Sequence, residues 1–306
     1  MDITKYLDTW AAAYRNDLIE NIMPFWMKFG LDRKHGGIYT CLDRDGKLMD
    51  STKSVWFQGR FGFIASYAYN HIEKKQEWLA ASKSCIDFIE THCTDIDGHL
   101  FFEVTEEGIP LRKRRYVFSE CFAAIAMSEY AIASGDKNYA TKALEMFKRI
   151  LKFLSTPGFL EPKYLPTLQS RGHSITMILI NTASRIREVI EDPVLDRQIN
   201  ESLTSIRQYF MHPEFKALLE MVGPKGELID TCNGRTINPG HCIETSWFIM
   251  EEARHRNWDK DLVQLALQIL DWSWEWGWDK EYGGIINFRD CKNFPSQDYS
   301  QDMKFW

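Results

Sequence analysis

The chain has 306 residues, of which 44% are hydrophobic and 26% charged, a composition that excludes a disordered chain and allows a substantial apolar core. Its formal net charge of −6 argues against a nucleic-acid groove or an anionic membrane surface, because both need dense Lys and Arg. The longest apolar patch, "SITMILI", is far too short to span a membrane, and the N-terminus lacks a signal-peptide pattern. We therefore expect a globular protein with no nucleic-acid or membrane partner.

The seven cysteines are scattered along the chain without a CxxC pair. An odd number at irregular spacing is typical of reduced thiols, which indicates a cytoplasmic protein. No zinc or iron–sulfur motif is visible, so we expect no bound metal.

A loosely repeated segment recurs along the chain at intervals of roughly 60 residues. The best copies are "DRKHGGIYTCLDRDGK" and "DKEYGGIINFRD", and each copy carries turn residues beside short alternating stretches, as a small β-hairpin does. The glycines that mark the copies are Gly36, Gly98, Gly158, Gly226 and Gly283.

Helical periodicity fills the intervals between these markers, two helices to an interval. The helices that follow the hairpins are the more apolar, whereas those that return to the next hairpin are amphipathic. In chain order we predict an opening helix at 3–29, post-hairpin helices at 53–72, 116–134, 172–190 and 240–256, returning helices at 76–92, 137–155, 194–212 and 260–276, and a helix that begins at "QDMKFW".

Helix pairs of this kind stack into a solenoid or a closed ring, and the apolar post-hairpin helices favour a ring in which they lie inside. The predicted fold is therefore all-α, an (α/α)6 toroid with short β-hairpins between helix pairs, built as a single domain over residues 1–306. Because a ring should not stop at a helix that has scarcely begun, we expect this chain to lack the final helices.

Polar candidates for chemistry lie early in the post-hairpin helices. In a ring of parallel inner helices, such positions converge on one rim of a central cavity, which is where aromatic-lined binding sites form. The candidates are Arg60, Tyr116, Glu120, His173, His241 and Glu244.

The stretch "NPGHCIETSWF" places His241, Glu244 and Trp247 at successive steps of three, near one face of a helix. A histidine titrates near neutral pH and can both accept and donate a proton. Glu244, one turn later, can orient the ring or bind a hydroxyl. We interpret His241 and Glu244 as a candidate acid/base pair.

Several of these residues also have structural interpretations. His173 can be a capping or core histidine, and Arg60 can form a buried ion pair with Glu120. The "WSWEWGW" run near the end of a helix is explained by core packing.

The motifs "NPGHCIETSWF", "WFQGR", "RRYVFSECFAAIA", "LLEMVGPKGE" and "WDKEYGGI" together resemble the N-acylglucosamine 2-epimerases, also called renin-binding proteins. The resemblance runs from about residue 5 to residue 306. It implies an (α/α)6 barrel, a homodimer, and interconversion of N-acetylglucosamine and N-acetylmannosamine. It also implies that no cofactor is required, and that ATP, as in many members, can act as an activator that is not consumed.

The resemblance also implies roles for particular residues. One His removes the proton on C2 of an open-chain sugar and a second His returns a proton to the opposite face. His241 is the first of these, Glu244 its orienting or hydroxyl-binding partner, and Arg60 the stabiliser on the carbonyl side. The remaining substrate-binding residues are Trp56, Tyr116, Glu120, His173 and Trp247.

Two departures from the family pattern affect what we expect. Members continue after "MKFW" with further helices and a segment that carries the second His. Many also have a Glu shortly before this motif, where Ser300 stands here.

The alternative functions are those of a related epimerase or isomerase acting on cellobiose or mannose, and of a non-catalytic carbohydrate-binding toroid.

Overall fold

The computed structural model describes residues 2–114 and 116–295, and within them the secondary structure follows the predicted order. Every predicted post-hairpin and returning helix is present, so the all-α class is confirmed. The predicted helix at "QDMKFW" lies outside the described residues. The α-helices are α1 (Ile3–Asp17), α2 (Met23–Phe25), α3 (Val55–His71), α4 (Gln76–His92), α5 (Phe118–Ser134), α6 (Lys137–Ser155), α7 (His173–Arg187), α8 (Pro193–Ser205), α9 (Pro239–His255) and α10 (Lys260–Gly277).

The opening helix differs from the prediction of one continuous element over 3–29. Two π-helical turns, Leu18–Ile22 and Trp26–Gly30, flank the three residues of α2. Pro24 has no backbone N–H and cannot donate the usual hydrogen bond to the residue four positions earlier. The wider π turn before it is the local adjustment that such a break produces.

Short strands fill the segments between helices, and none in the described ranges exceeds three residues. A strand just before a post-hairpin helix repeatedly pairs antiparallel with a strand from the next connecting segment, as β3 does with β4, β6 with β9, and β10 with β11. The strands are β1 (Cys41–Leu42), β2 (Leu48–Asp50), β3 (Lys53–Ser54), β4 (Glu103–Val104), β5 (Pro110–Arg112), β6 (Arg171–Gly172), β7 (Met211–His212), β8 (Ala217–Leu218), β9 (Met221–Val222), β10 (Thr236–Ile237) and β11 (Arg289–Asp290).

The predicted hairpin around Gly158 is wrong, because residues 156–170 form turns without a strand. Pro157, Pro162 and Pro166 interrupt this segment. A proline cannot donate to a β-ladder, so three of them within ten positions prevent pairing.

The repeat seen in the sequence corresponds to a repeated turn. The marker glycines Gly36 and Gly283 both have positive φ, at 83° and 70°, a conformation that side chains other than glycine rarely adopt. In each copy an aspartate, Asp32 or Asp279, accepts hydrogen bonds from the amides two and three residues later. The two best sequence copies therefore share one backbone design.

The chain divides into two compact units, Met1–Glu161 with Arg185–Glu191, and Pro162–Ser184 with Asp192–Trp306. The expected single domain over 1–306 stays a prediction. Across the described ranges, no helix has both the length and the apolarity needed to cross a membrane.

In the first unit α5 is the most buried helix, with every residue from 119 to 131 buried. It packs against α3, α4 and α6, and a Cβ at Gly59 of α3 would lie only 2.6 Å from the backbone of Phe122. By contrast, α6 buries one stripe of side chains spaced three and four residues apart. This contrast agrees with the predicted difference between post-hairpin and returning helices.

A buried lysine joins the connecting segments of this unit. Lys53 is fully buried, and its Nζ donates to Asp32 Oδ2 at 2.7 Å and to the carbonyls of Gly36 and Glu106 at 2.8 and 2.7 Å. The ammonium also lies 4.2 Å from the centre of the Phe88 ring. One charge, fully hydrogen-bonded, thus holds two turns against the start of α3.

We expect Asp32→Asn to lower the free energy of unfolding by about 3–5 kcal/mol, because it leaves the Lys53 charge buried without its counter-ion. The matched control is Asp87→Asn, which removes a half-exposed pair with Lys83 and should cost about 0.3–0.5 kcal/mol. Urea denaturation followed by circular dichroism measures both. Equal costs would contradict the importance of the buried pair.

The cost of Asp32→Asn should also depend on pH. Burial alone would raise the pKa of Asp32, but Lys53 and two backbone amides outweigh it and lower that pKa. A carboxyl with a lowered folded-state pKa stabilises the protein above its ordinary pKa of about 3.9 and loses this effect as pH falls. The difference between wild type and variant should therefore be full near neutral pH and shrink below about pH 4.

Candidate active site

The first turn of α9 explains the "NPGH" sequence. Asn238 caps the helix in an extended conformation, and its side-chain Oδ1 accepts from the backbone amide of His241 at 3.1 Å. Pro239 occupies the first helical position, where a missing N–H costs nothing. This cap fixes the His241 backbone, and 28% of the His241 side chain remains exposed.

The ring of His241 is held by a carboxylate from outside its helix. Nδ1 of His241 lies 2.9 Å from Oε1 of Glu220, a residue between β8 and β9. The backbone of Glu220 is fixed as well, because its amide donates to the carbonyl of Thr236 and its carbonyl accepts from the amide of His173. Glu220 therefore joins the start of α7 to the start of α9.

Behind this pair lies a buried histidine and a threonine. His173 is fully buried, with Nδ1 at 3.5 Å from Glu220 Oε1, longer than an ordinary hydrogen bond. Thr245 donates its hydroxyl to the carbonyl of His241 at 2.8 Å. The same oxygen lies 3.0 Å from His173 Nε2, so this nitrogen carries the hydrogen that Thr245 accepts.

The two imidazoles determine the charge of Glu220. Burial alone would raise the pKa of this carboxyl, but His241 and His173 outweigh burial and hold the pKa well below its usual range. Glu220 is therefore anionic at neutral pH. A partly exposed imidazole whose Nδ1 is fixed by a carboxylate is the arrangement that general acid/base catalysis uses.

The sequence singles out His241 but not Glu220. It predicts Glu244 as the residue that orients the ring or binds a hydroxyl, whereas in the structure Nδ1 of His241 contacts Glu220. Glu220 stands in the "LLEMVGPKGE" motif, but 21 residues separate it from His241 and no periodicity connects them. Hydroxyl binding by Glu244, which is partly exposed, stays a prediction.

Two other predicted residues of this unit differ in exposure. The Trp247 ring is 44% exposed and packs edge-on against Phe248, with 4.3 Å between ring centres. An exposed aromatic face suits the expected wall. His173 has no exposed surface, which favours a positioning role over the expected contact with substrate.

The first unit contains an aromatic cluster around Trp56. The Trp56 ring lies 5.3–5.9 Å from the rings of its neighbours and is tilted or edge-on to each. The exposed Arg60 guanidinium lies 4.4 Å from the centre of one of these rings, that of Phe122. The neighbours are Phe102, Tyr116, Phe118 and Phe122.

Glu120 is fully buried beside this cluster. Its Oε1 accepts from the amide of Leu100 at 2.6 Å and contacts Nδ1 of His99, while Oε2 has no hydrogen-bond partner in the described part of the chain. The ion pair with Arg60 considered from the sequence is therefore not formed. The role of Glu120 in substrate binding stays a prediction.

The predicted site residues thus form two sets, one in each unit. Trp56, Arg60, Tyr116 and Glu120 belong to the first, and the residues of α7 and α9 to the second. Their convergence on one rim stays a prediction.

We expect Glu120→Gln to lower the free energy of unfolding by about 3 kcal/mol, because it removes the counter-ion of buried His99. Burial alone would lower the pKa of His99, but Glu120 outweighs it and raises that pKa. A raised pKa stabilises below the ordinary value of about 6.5, and the effect is lost as pH rises through the folded-state value. Thermal unfolding of wild type and variant should therefore differ more at pH 6 than at pH 9.

The control for this experiment is Glu103→Gln. Glu103 is partly exposed and lies 4.0 Å from Arg112, so its loss should change stability by less than about 1 kcal/mol at either pH. If both variants behave alike, the buried pair has no special role.

Most of the chain matches the model of a known protein family. The family model described as N-acylglucosamine 2-epimerase (GlcNAc 2-epimerase) matches residues 37–306. The N-acylglucosamine 2-epimerase of Rattus norvegicus is 29% identical over 308 residues, which cover 98% of this chain and 73% of that protein. A cellobiose 2-epimerase of Ruminococcus albus is 31% identical over 143 residues, 46% of this chain and 36% of that protein.

A solved structure shares the fold. The cellobiose 2-epimerase of Bacillus thermoamylovorans B4167 superposes with a TM-score of 0.81 at 21% identity, covering 92% of this chain and 76% of that one. Its class is the (α/α)6 barrel, so the predicted fold class is confirmed.

Proposed function

The chain belongs to the N-acylglucosamine 2-epimerase family, and from this premise we propose that it interconverts N-acetylglucosamine and N-acetylmannosamine by moving the proton on C2. The reaction class is isomerisation. The observation that carries the proposal is the capped, partly exposed His241 whose Nδ1 is bound to anionic Glu220.

The proposed chemistry begins with the open-chain sugar. Because Nδ1 of His241 is engaged with Glu220, Nε2 is the nitrogen that removes the C2 proton. The C2–H electron pair forms a C1–C2 double bond as the carbonyl π electrons move onto the C1 oxygen. Return of a proton to C2 from the opposite face re-forms the carbonyl and gives the epimer.

Glu220 supports this proton transfer from behind the ring. When Nε2 takes the proton, the imidazole becomes positively charged, and the carboxylate 2.9 Å from Nδ1 stabilises that charge. His173 and Thr245 hold Glu220 and the first turn of α9 in place. Their role is positioning, because His173 is buried behind the carboxylate.

The other residues are assigned by the family resemblance. Arg60 would stabilise the negative charge on the C1 oxygen, which its exposed guanidinium suits. Trp56, Tyr116 and Trp247 would supply aromatic surface to the sugar ring. The second proton-transfer group is expected in the segment that follows "MKFW" in other members.

The direct test is exchange of the C2 hydrogen in heavy water. Incubation of N-acetylmannosamine with the protein should give C2 deuteration, followed by proton NMR. His241→Asn should reduce exchange by at least about 100-fold, the lower range for loss of a general acid/base, with an unchanged circular dichroism spectrum. Unchanged exchange would remove His241 from the mechanism.

Glu220→Gln should reduce the exchange rate by about 10–100-fold, as expected for loss of a group that orients a working imidazole. It should also move the acidic limb of the pH–rate profile to lower pH, because the imidazolium loses its counter-charge. Glu214→Gln is the matched control, since Glu214 likewise binds a histidine ring, that of His212, at 3.0 Å. A purely structural role for Glu220 would lower activity without moving the profile.

The same assay separates the alternatives. Exchange with mannose or cellobiose but with no N-acylated hexosamine would select a related epimerase or isomerase. Saturable sugar binding without exchange would select a non-catalytic protein.

We retain three further proposals. The chain forms a homodimer, as the family resemblance implies. Sedimentation equilibrium measures the mass in solution that tests this. It works in the cytoplasm, in keeping with seven cysteines that are all free thiols. ATP activates it without being consumed, so a non-hydrolysable analogue should activate equally well. No step above depends on ATP.

A further inference from the structure

Three potential metal ligands meet in the first unit, away from the residues assigned to the sugar. One ring nitrogen of His35 and one carboxylate oxygen each from Glu106 and Glu107 lie within 4.8 Å of one another. One imidazole and two carboxylates form a ligand set that suits divalent transition metals such as Zn²⁺. These ligands come from two segments far apart in the chain, so they form no zinc or iron–sulfur motif in the sequence.

The backbone that carries these ligands is rigid. His35 belongs to the turn whose amides are capped by Asp32, and its own amide donates to Asp32 Oδ1 at 3.0 Å. Glu106 lies in a tight turn closed by the amide of Gly108 on the carbonyl of Thr105. Lys53 binds both turns through the carbonyls of Gly36 and Glu106. These hydrogen bonds fix the backbone from which the ligand side chains extend.

One ring nitrogen of His35 lacks a protein partner. Nε2 of His35 is buried and has no hydrogen-bond partner in residues 2–114 and 116–295. Such a group costs free energy unless an ion or water satisfies it, and each instance needs an explanation. A bound cation beside His35 provides one.

The carboxylate of Glu106 has a neighbour that orients it. Tyr39 donates its hydroxyl to Glu106 Oε2 at 3.3 Å. A donor to a ligating carboxylate orients that ligand.

Neighbouring positive charges do not cancel this negative pair. The Lys53 ammonium is 2.7 Å from Asp32, which neutralises it, and it contacts Glu106 through the carbonyl rather than the carboxylate. Lys34, next to His35, is exposed to solvent, which screens its charge.

The second copy of the turn shows that backbone geometry alone does not demand this histidine. In "DKEYGG" the position of His35 is taken by Tyr282, which is exposed, while the turn keeps the same hydrogen bonds. The turn is common to both copies, and the imidazole is specific to the one beside Glu106 and Glu107.

We propose that His35, Glu106 and Glu107 form a binding site for a divalent transition-metal ion of the Zn²⁺ class, which links the turn at 32–37 to the turn at 105–108. The site is structural and independent of the proposed sugar chemistry.

The test uses Co²⁺ as the probe on the 306-residue protein stripped with EDTA. Titration should show a site whose visible spectrum lacks a thiolate charge-transfer band, since the cluster contains no cysteine. His35→Ala and Glu107→Gln should each weaken binding by at least about tenfold, because even groups that only orient ligands contribute that much.

The control is His255→Ala, which removes an exposed histidine outside the cluster and should leave Co²⁺ affinity unchanged. Co²⁺ at a concentration that just saturates wild type should raise the melting temperature of wild type and control by more than that of the two ligand variants. Melting temperatures in EDTA that match wild type show that the variants fold. Equal affinity in all four proteins, no binding, or a thiolate band would overturn the proposal, whatever the outcome of the exchange assay.

Discussion

The contact between Glu220 and His241 is the interaction on which the candidate site of the second unit depends. Each polar group of Glu220 is bound to a different segment: its amide to Thr236, its carbonyl to His173, and its carboxylate to His241. The dependence is mutual. The carboxylate is stabilised as an anion by the imidazoles, and the His241 ring is oriented by the carboxylate. A partly exposed ring is thereby fixed from its buried side.

The first unit also contains buried pairs of ionisable side chains that join connecting segments. Lys53 with Asp32, and His99 with Glu120, are buried ionisable pairs that also make hydrogen bonds with the backbone of connecting segments. Buried charges are tolerated only when they are paired and hydrogen-bonded, so each such pair requires its segments to lie in one arrangement. The helices supply apolar packing, and these pairs fix the connections between them.

The repeated turn keeps the same backbone hydrogen bonds in two copies that carry different side chains. Asp32 and Asp279 cap equivalent turns, and glycines with positive φ close both. Histidine stands in one copy and tyrosine in the other without a change in backbone bonding. The backbone hydrogen bonds of the turn therefore fix where this residue lies, whereas its side chain can differ between the two copies.

The sequence alone predicted the helices, a turn at each glycine marker, and the helix start that presents His241. These features depend on local chemistry: apolar periodicity, capping by Asn238, and glycine at positive φ. It did not reveal Glu220 as the partner of His241, nor the full burial of Glu120 and His173. This contact and this burial become visible in the tertiary structure, because they depend on which distant segments pack together. No residue spacing in the sequence encodes them.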